Sequence, residues 1–338
     1  MKLKTMWLAF AVALMIAVPL RTYQLLYLVD PETGFAVDKE YIFTLLILFL
    51  VVFVLLLIVL SALGKHSDFV YLPGGNRIAA GIYLAAALLT LCDSIYRFAP
   101  EGEAAKWETA LVGVLGLGAA VAFLLLAWGE YSGENPFAFY QILALLPTVW
   151  IAARLIVTFI HYTTVVNYDI SLFDIFTDVF LLLFFHNHSK MLASIDGRHL
   201  FEKTYCSGLV GALFALLTSA PALAFSACYQ GLTLWSAAPY LADFALAALI
   251  LCWLLLLPAR VEEKGGPAVA SGRKENGPAL VLGVSAQQDA VGPQTPDVPS
   301  SGGERRDPAD YLTLPAKQFE EHMRFHGAGE EKNGKEDA

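Results

Sequence analysis

The chain reads as a succession of long apolar runs separated by short polar stretches. Eight runs come close to or exceed the about 20 residues that cross ~30 Å of hydrocarbon as a helix. They are residues 5–29, 41–63, 77–98, 108–128, 137–161, 170–188, 205–228 and 237–258. The second is the purest. From Tyr41 to Leu63 it holds no charge, Gly or Pro, so it is predicted to face lipid over much of its circumference. Backbone groups inside lipid must be satisfied within the segment or in a closed barrel. Runs this long do not alternate as barrel strands do, which leaves helices. The pattern therefore predicts an all-α fold: a polytopic transmembrane bundle of about eight helices over residues 1–258.

After Pro258 the pattern stops. Residues 259–338 are rich in Gly, Pro, Ser, Glu and Lys, as in GPQTPDVPSSGGERRDP. Such a segment buries too little apolar area to offset the entropy of ordering, and it reads as a disordered tail. One stretch, 310–325 (DYLTLPAKQFEEHMRF), has enough apolar residues for a short helix or a docking peptide. The tail thus suggests a cytoplasmic protein partner, beside the lipid bilayer itself.

Composition agrees with lipid as the solvent. Hydrophobic residues make up 57% and charged residues 16%, against about one quarter charged in a soluble domain. The mean hydropathy is +0.57. Net charge is -9. Up to Pro258 there are 12 Lys+Arg against 17 Asp+Glu, and beyond it 10 against 14. Neither part is basic, so nucleic-acid binding has no electrostatic support. Cys92, Cys206, Cys228 and Cys252 are scattered through apolar segments. They form neither a disulfide framework nor a zinc spacing, and read as small apolar packing residues.

Basic residues set the expected orientation. With the N-terminus in the cytoplasm, inside segments carry Lys2, Lys4, Lys65, Arg77, Lys190, Arg198, Lys203, Arg260 and Lys264. Outside segments carry Arg21, Lys39, Arg97 and Lys106. An even number of spans returns the tail to the cytoplasm. The inside loop 129–136 breaks the trend, with two Glu and no basic residue. Lys2 and Lys4 before the run 6–20 are also the layout of a signal peptide. No small-x-small site precedes Arg21, so a retained helix is expected, with Arg21 snorkelling outward from its end.

Ionisable residues inside spans are costly and need a partner or water. Arg154 and Asp178 stand out. Measured from the short connection between spans five and six, their Cα atoms lie ~10 and ~12 Å deep at 1.5 Å per residue. A short connection makes these helices antiparallel neighbours, so Arg154 is expected to pair with Asp178, with Asp174 one turn above it, or with both. His161 is near the level of Asp174. Asp93 can pair with Arg97 within its own helix, whereas Asp243 has no partner close in sequence. If Asp243 also faces inward, Asp93, Arg154, Asp174, Asp178 and Asp243 line a polar cavity in the outer half, with His161 near it.

His186, Asn187, His188, Asp196 and His199 look like loose metal ligands. Residues two apart on a helix point to nearly opposite sides, so they read instead as interfacial polar residues beside Lys190. The pair His322 and His326 lacks the HExxH order. No metal is therefore expected. Pro147 and Pro221 should kink or break spans five and seven. Ser207, Gly211, Ala215 and Ser219 form a small-residue stripe that permits close helix approach. There is no phosphate-binding loop, nucleophile elbow or selectivity filter, and no internal repeat, so no cofactor is implied.

The stretch Arg154–Leu192, RLIVTFIHYTTVVNYDISLFDIFTDVFLLLFFHNHSKML, resembles a hairpin of uncharacterised bacterial multi-pass membrane proteins. The resemblance covers spans five and six. It implies a bacterial inner-membrane setting and carries no activity, ligand or catalytic residue. Three functions remain in view: a non-enzymatic sensor, scaffold or regulator using the tail, an ion- or proton-coupled transporter using the outer carboxylates, and an intramembrane enzyme. For the last, Asp93, Asp178 and Asp243 are the only acids available, without a base or metal to activate them.

Overall fold

The computed structural model describes residues 3–28, 40–63, 69–72, 74–98, 107–138, 140–164, 168–193, 195, 199–230 and 233–263. Eight α-helices dominate them: α1 Leu3–Tyr27, α2 Glu40–Ala62, α3 Arg77–Tyr96, α4 Trp107–Ser132, α5 Leu146–Thr164, α6 Tyr168–Leu192, α7 Leu200–Phe225 and α8 Leu234–Leu256. Two short strands, β1 Phe69–Tyr71 and β2 Val261–Glu263, pair antiparallel. Seven helices are long and apolar enough to cross a membrane. The remaining one, α6, has 25 residues but carries Asp174, Asp178 and the His186–His188 run. It packs between α5 and α7 as a full member of the bundle. The chain is a polytopic all-helical membrane protein.

The helix faces follow from residue spacing. On α2, Leu46, Leu50, Phe53 and Leu57 are buried, at steps of four, three and four. Leu45, Leu48, Val52, Leu55 and Ile58 point out. This is one seam toward the bundle and a broad apolar face toward lipid. On α1, Met6, Phe10, Ala13 and Ala17 make the same kind of seam. It meets α7, where the Trp7 indole N–H donates to the Tyr205 hydroxyl. The innermost helix is α7, flanked by α1, α6 and α8 and buried along most of its length. Its stripe of small residues has a specific use at Gly211. A Cβ there would stand 3.3 Å from the Phe180 carbonyl oxygen of α6.

The helix limits depart from the apolar runs in informative places. The α4 helix runs four residues past its run, to Ser132. It stops at Gly133, whose φ of +79° suits a residue without Cβ and whose N–H returns to the Gly129 carbonyl at 2.8 Å. The fifth run begins as two 3₁₀ turns, Pro136–Ala138 and Gln141–Leu145. The α-helix starts only at Leu146, so Pro147 sits in its first turn, where a missing N–H costs nothing. Pro221 does not end α7. The helix passes it to Phe225 and loosens into a π turn, Ser226–Gln230.

The tail boundary at residue 259 needs correction. A 3₁₀ turn, Leu257–Ala259, leads into β2, which pairs Val261 with Tyr71 and Glu263 with Phe69. The Leu72 N–H also donates to the Arg260 carbonyl at 2.8 Å. Order therefore extends through Glu263. Residues 264–338, with the 310–325 stretch, His322 and His326, lie outside the described residues, as does Asp196.

Candidate functional site

The lower end of the bundle is here the end where α1, α3, α5 and α7 begin; the upper end is the other. Among the described residues, two groups of buried, paired charges stand out, one in the upper half of the bundle and one at its lower end. The upper one is centred on Arg154. Its guanidinium donates through Nε to Asp178 Oδ1 at 2.6 Å, and Nη2 closes on the same oxygen. Nη1 reaches Asp243 Oδ1 on α8 at 2.5 Å. Thr158, one turn above Arg154, donates its hydroxyl to Asp178 Oδ2 at 3.5 Å. The guanidinium also lies 5.6 Å from the Trp150 ring centre, within cation–π range. One arginine thus ties α5, α6 and α8.

Asp174 does not join this tie. It is exposed, one turn above Asp178. The three-residue connection 165–167 sets Arg154 and Asp178 at equal depth, but the contact that completes the tie comes from α8. Asp243 is ten residues into that helix, and its side chain is only 16% exposed. Asp93 is fully buried and pairs with Arg97 at 2.9 Å, an i,i+4 contact on α3. Both lie within electrostatic range of Asp243. Instead of lining an open cavity, Asp93 and Asp178 are packed over. His161 lies on α5, but its side chain falls outside the described residues.

Arg21 does not snorkel. It is 3% exposed, with its guanidinium 4.3 Å from the Phe173 ring centre and a 2.8 Å bond to Gln24 Oε1. It also lies within electrostatic range of Asp174, on which Arg154 acts more strongly. Nothing in the sequence marked the inward face of α1, since that helix is apolar nearly all round.

The lower group is one that the sequence reading missed. Arg260 forms a two-pronged bond with Glu130, through Nη1 to Oε1 and through Nη2 to Oε2 at 2.6 Å. Both residues are buried. Glu130, taken as a loop acid, belongs to the last turn of α4. Around the pair, the Asn76 N–H donates to the Glu130 carbonyl at 2.9 Å. The Asn76 side chain caps α3 by accepting from Ile78 and Ala79. Asn135 donates its amide to the Leu192 carbonyl at 2.8 Å. An acidic loop residue facing an arginine just past the last span was the available signal: both were expected on one side of the membrane.

The His186–His188 run divides as the helix period demands. His186 is exposed and His188 is buried. His188 is therefore not interfacial: its ring meets Trp253 edge-on at 4.3 Å and stacks on Phe184 at 5.3 Å. Among the described residues, no three His, Cys, Asp or Glu side chains converge on a metal-ion position. The four cysteines are free thiols, half-buried except for exposed Cys228. No family model, no curated protein and no solved structure matches the chain.

Proposed function

We propose that this membrane protein is a non-enzymatic sensor or regulator in which α8 connects a charge tie in the outer half to a clamp at the cytoplasmic end. One observation carries the reading. The same helix holds Asp243 in the upper tie and leads directly to Arg260 in the lower clamp. The two are separated by about 25 Å at 1.5 Å per residue. A packed helix is the kind of rigid element through which a change at one site biases another. The ribbon strand β2 follows Arg260 at once, and the tail begins beyond it. The distribution of basic residues supports an N-terminus and tail in the cytoplasm, with the upper end outside. The hairpin resemblance supports a bacterial inner membrane. A change in the charge of the tie would then alter the platform from which the tail departs, where a cytoplasmic partner would read it.

Hydrogen exchange of the reconstituted full chain tests this. Asp243→Asn weakens the tie without touching the lower end. Exchange at the β1 and β2 amides is expected to speed up at least about 5-fold, the lower range of allosteric coupling. Unchanged ribbon exchange in a folded Asp243→Asn protein would sink the sensor reading.

A second reading, an ion- or proton-coupled carrier, is favoured by a different fact: the upper group holds more carboxylates than guanidiniums. It predicts proton- or sodium-dependent flux in proteoliposomes that Asp178→Asn abolishes. Flux absent across a broad substrate panel would count against it.

A further inference from the structure

We propose that the upper group carries one exchangeable monovalent cation, Na⁺, held between α3 and α8 on the Asp93 carboxylate with the Thr90 hydroxyl beside it. The proposal deepens the sensor reading by naming what the tie would respond to, and it rests on that reading.

Charge balance gives the first reason. Arg21 lies within electrostatic range of the exposed Asp174 and helps to offset it. The packed remainder then has three carboxylates, Asp93, Asp178 and Asp243, against two guanidiniums, Arg97 and Arg154. Among the described residues, one negative charge is left without a counter-charge in a low-dielectric interior. Such a charge is normally neutralised or paired.

The second reason locates it. Asp178 receives two N–H groups from Arg154 and the Thr158 hydroxyl, and Asp243 receives the third Arg154 donor. Asp93 differs. Its Oδ2 accepts from Arg97 Nε, but Oδ1 is enclosed and has no hydrogen-bond partner. The Thr90 Oγ1, three residues earlier on the same helix face, is likewise enclosed and without a partner. Two unmet oxygens one turn apart, on a helix that packs against α8, are oxygen ligands suited to a hard cation.

The surrounding groups fit a single positive charge. From α8, Asp243 and Tyr240 are the ionisable neighbours; from α5, Arg154; on α3 itself, Tyr96 and Arg97. Facing the same part of α3, the α4 helix offers the small residues Gly113 and Gly116, with Glu108 only in its first turn. The surplus is one carboxylate, which suits Na⁺ and gives a divalent ion too little charge.

Thermal unfolding of the purified full chain in detergent tests the proposal. NaCl is exchanged for N-methylglucamine chloride at constant ionic strength. Tm is expected to rise saturably with Na⁺, by about 5 °C at 100-fold excess over Kd. Thr90→Val and Asp93→Asn then abolish the rise. Glu202→Gln, a buried acid at the lower end whose Oε2 also lacks a partner, serves as a control and keeps the response. Should Asp93→Asn not fold, Asp243→Asn replaces it, because neutralising either carboxylate removes the surplus charge. A wild-type Tm indifferent to Na⁺, or a response that survives both Asn variants, overturns the proposal. Cation binding with no change in ribbon exchange would keep the site and discard the sensor reading.

Discussion

Arg154 is the residue on which the upper group depends. Three of its N–H groups are committed to two carboxylates that water barely reaches. Removing one member of a buried ion pair strands the others and costs about 3–5 kcal/mol, whereas replacing the whole set with apolar residues is often neutral. Arg154→Met alone is therefore expected to lower unfolding stability in detergent by about 3–5 kcal/mol. Adding Asp178→Leu and Asp243→Leu should recover most of it. A triple variant as unstable as the single one would show that the charges are not acting together. The sequence revealed half of this. A three-residue connection fixes the depth of Arg154 against Asp178, so their meeting could be reasoned from residue counts. The Asp243 contact could not, because the relative height of α5 and α8 is set by packing. For Arg21 the missing information was rotational: a helix with little amphipathicity does not show which way a lone arginine faces.

Elements are fitted to one another by small residues at a few defined points. At Gly116 of α4, an added Cβ would stand 2.3 Å from Ser94 Oγ of α3 and 3.0 Å from Trp150 Nε1 of α5. At Gly81 of α3, nothing lies within 4 Å of such a Cβ. Gly116→Ala is expected to lose about 1–3 kcal/mol by overpacking. Gly81→Ala should be neutral or gain up to about 1 kcal/mol through helix propensity. Equal effects in denaturant unfolding would mean that α3, α4 and α5 do not meet at Gly116. Such contacts are hidden from sequence, where both glycines look alike. Element limits were legible where a strong local signal existed, as in the charge-free run of α2. They were not where tertiary contacts decide: α4 gains a turn because Glu130 has Arg260 to meet, and the 3₁₀ entry to α5 leaves no trace in hydropathy.

At the scale of the whole molecule, the apolar periodicity was enough for the class of fold, because lipid admits few alternatives. It did not show that the described residues hold two buried charge groups, one in the upper half of the bundle and one at its lower end, nor that α8 runs from one toward the other. That arrangement is the centre of the account. The most direct test is a double-mutant cycle of unfolding stability between Asp243→Asn in the upper tie and Glu130→Gln in the lower clamp. Sites this far apart are normally additive to within about 0.5 kcal/mol. If α8 couples them, the double variant will depart from additivity by more than about 1 kcal/mol, in the range of allosteric coupling. Additivity within about 0.5 kcal/mol would contradict the account and leave two independent structural pairs.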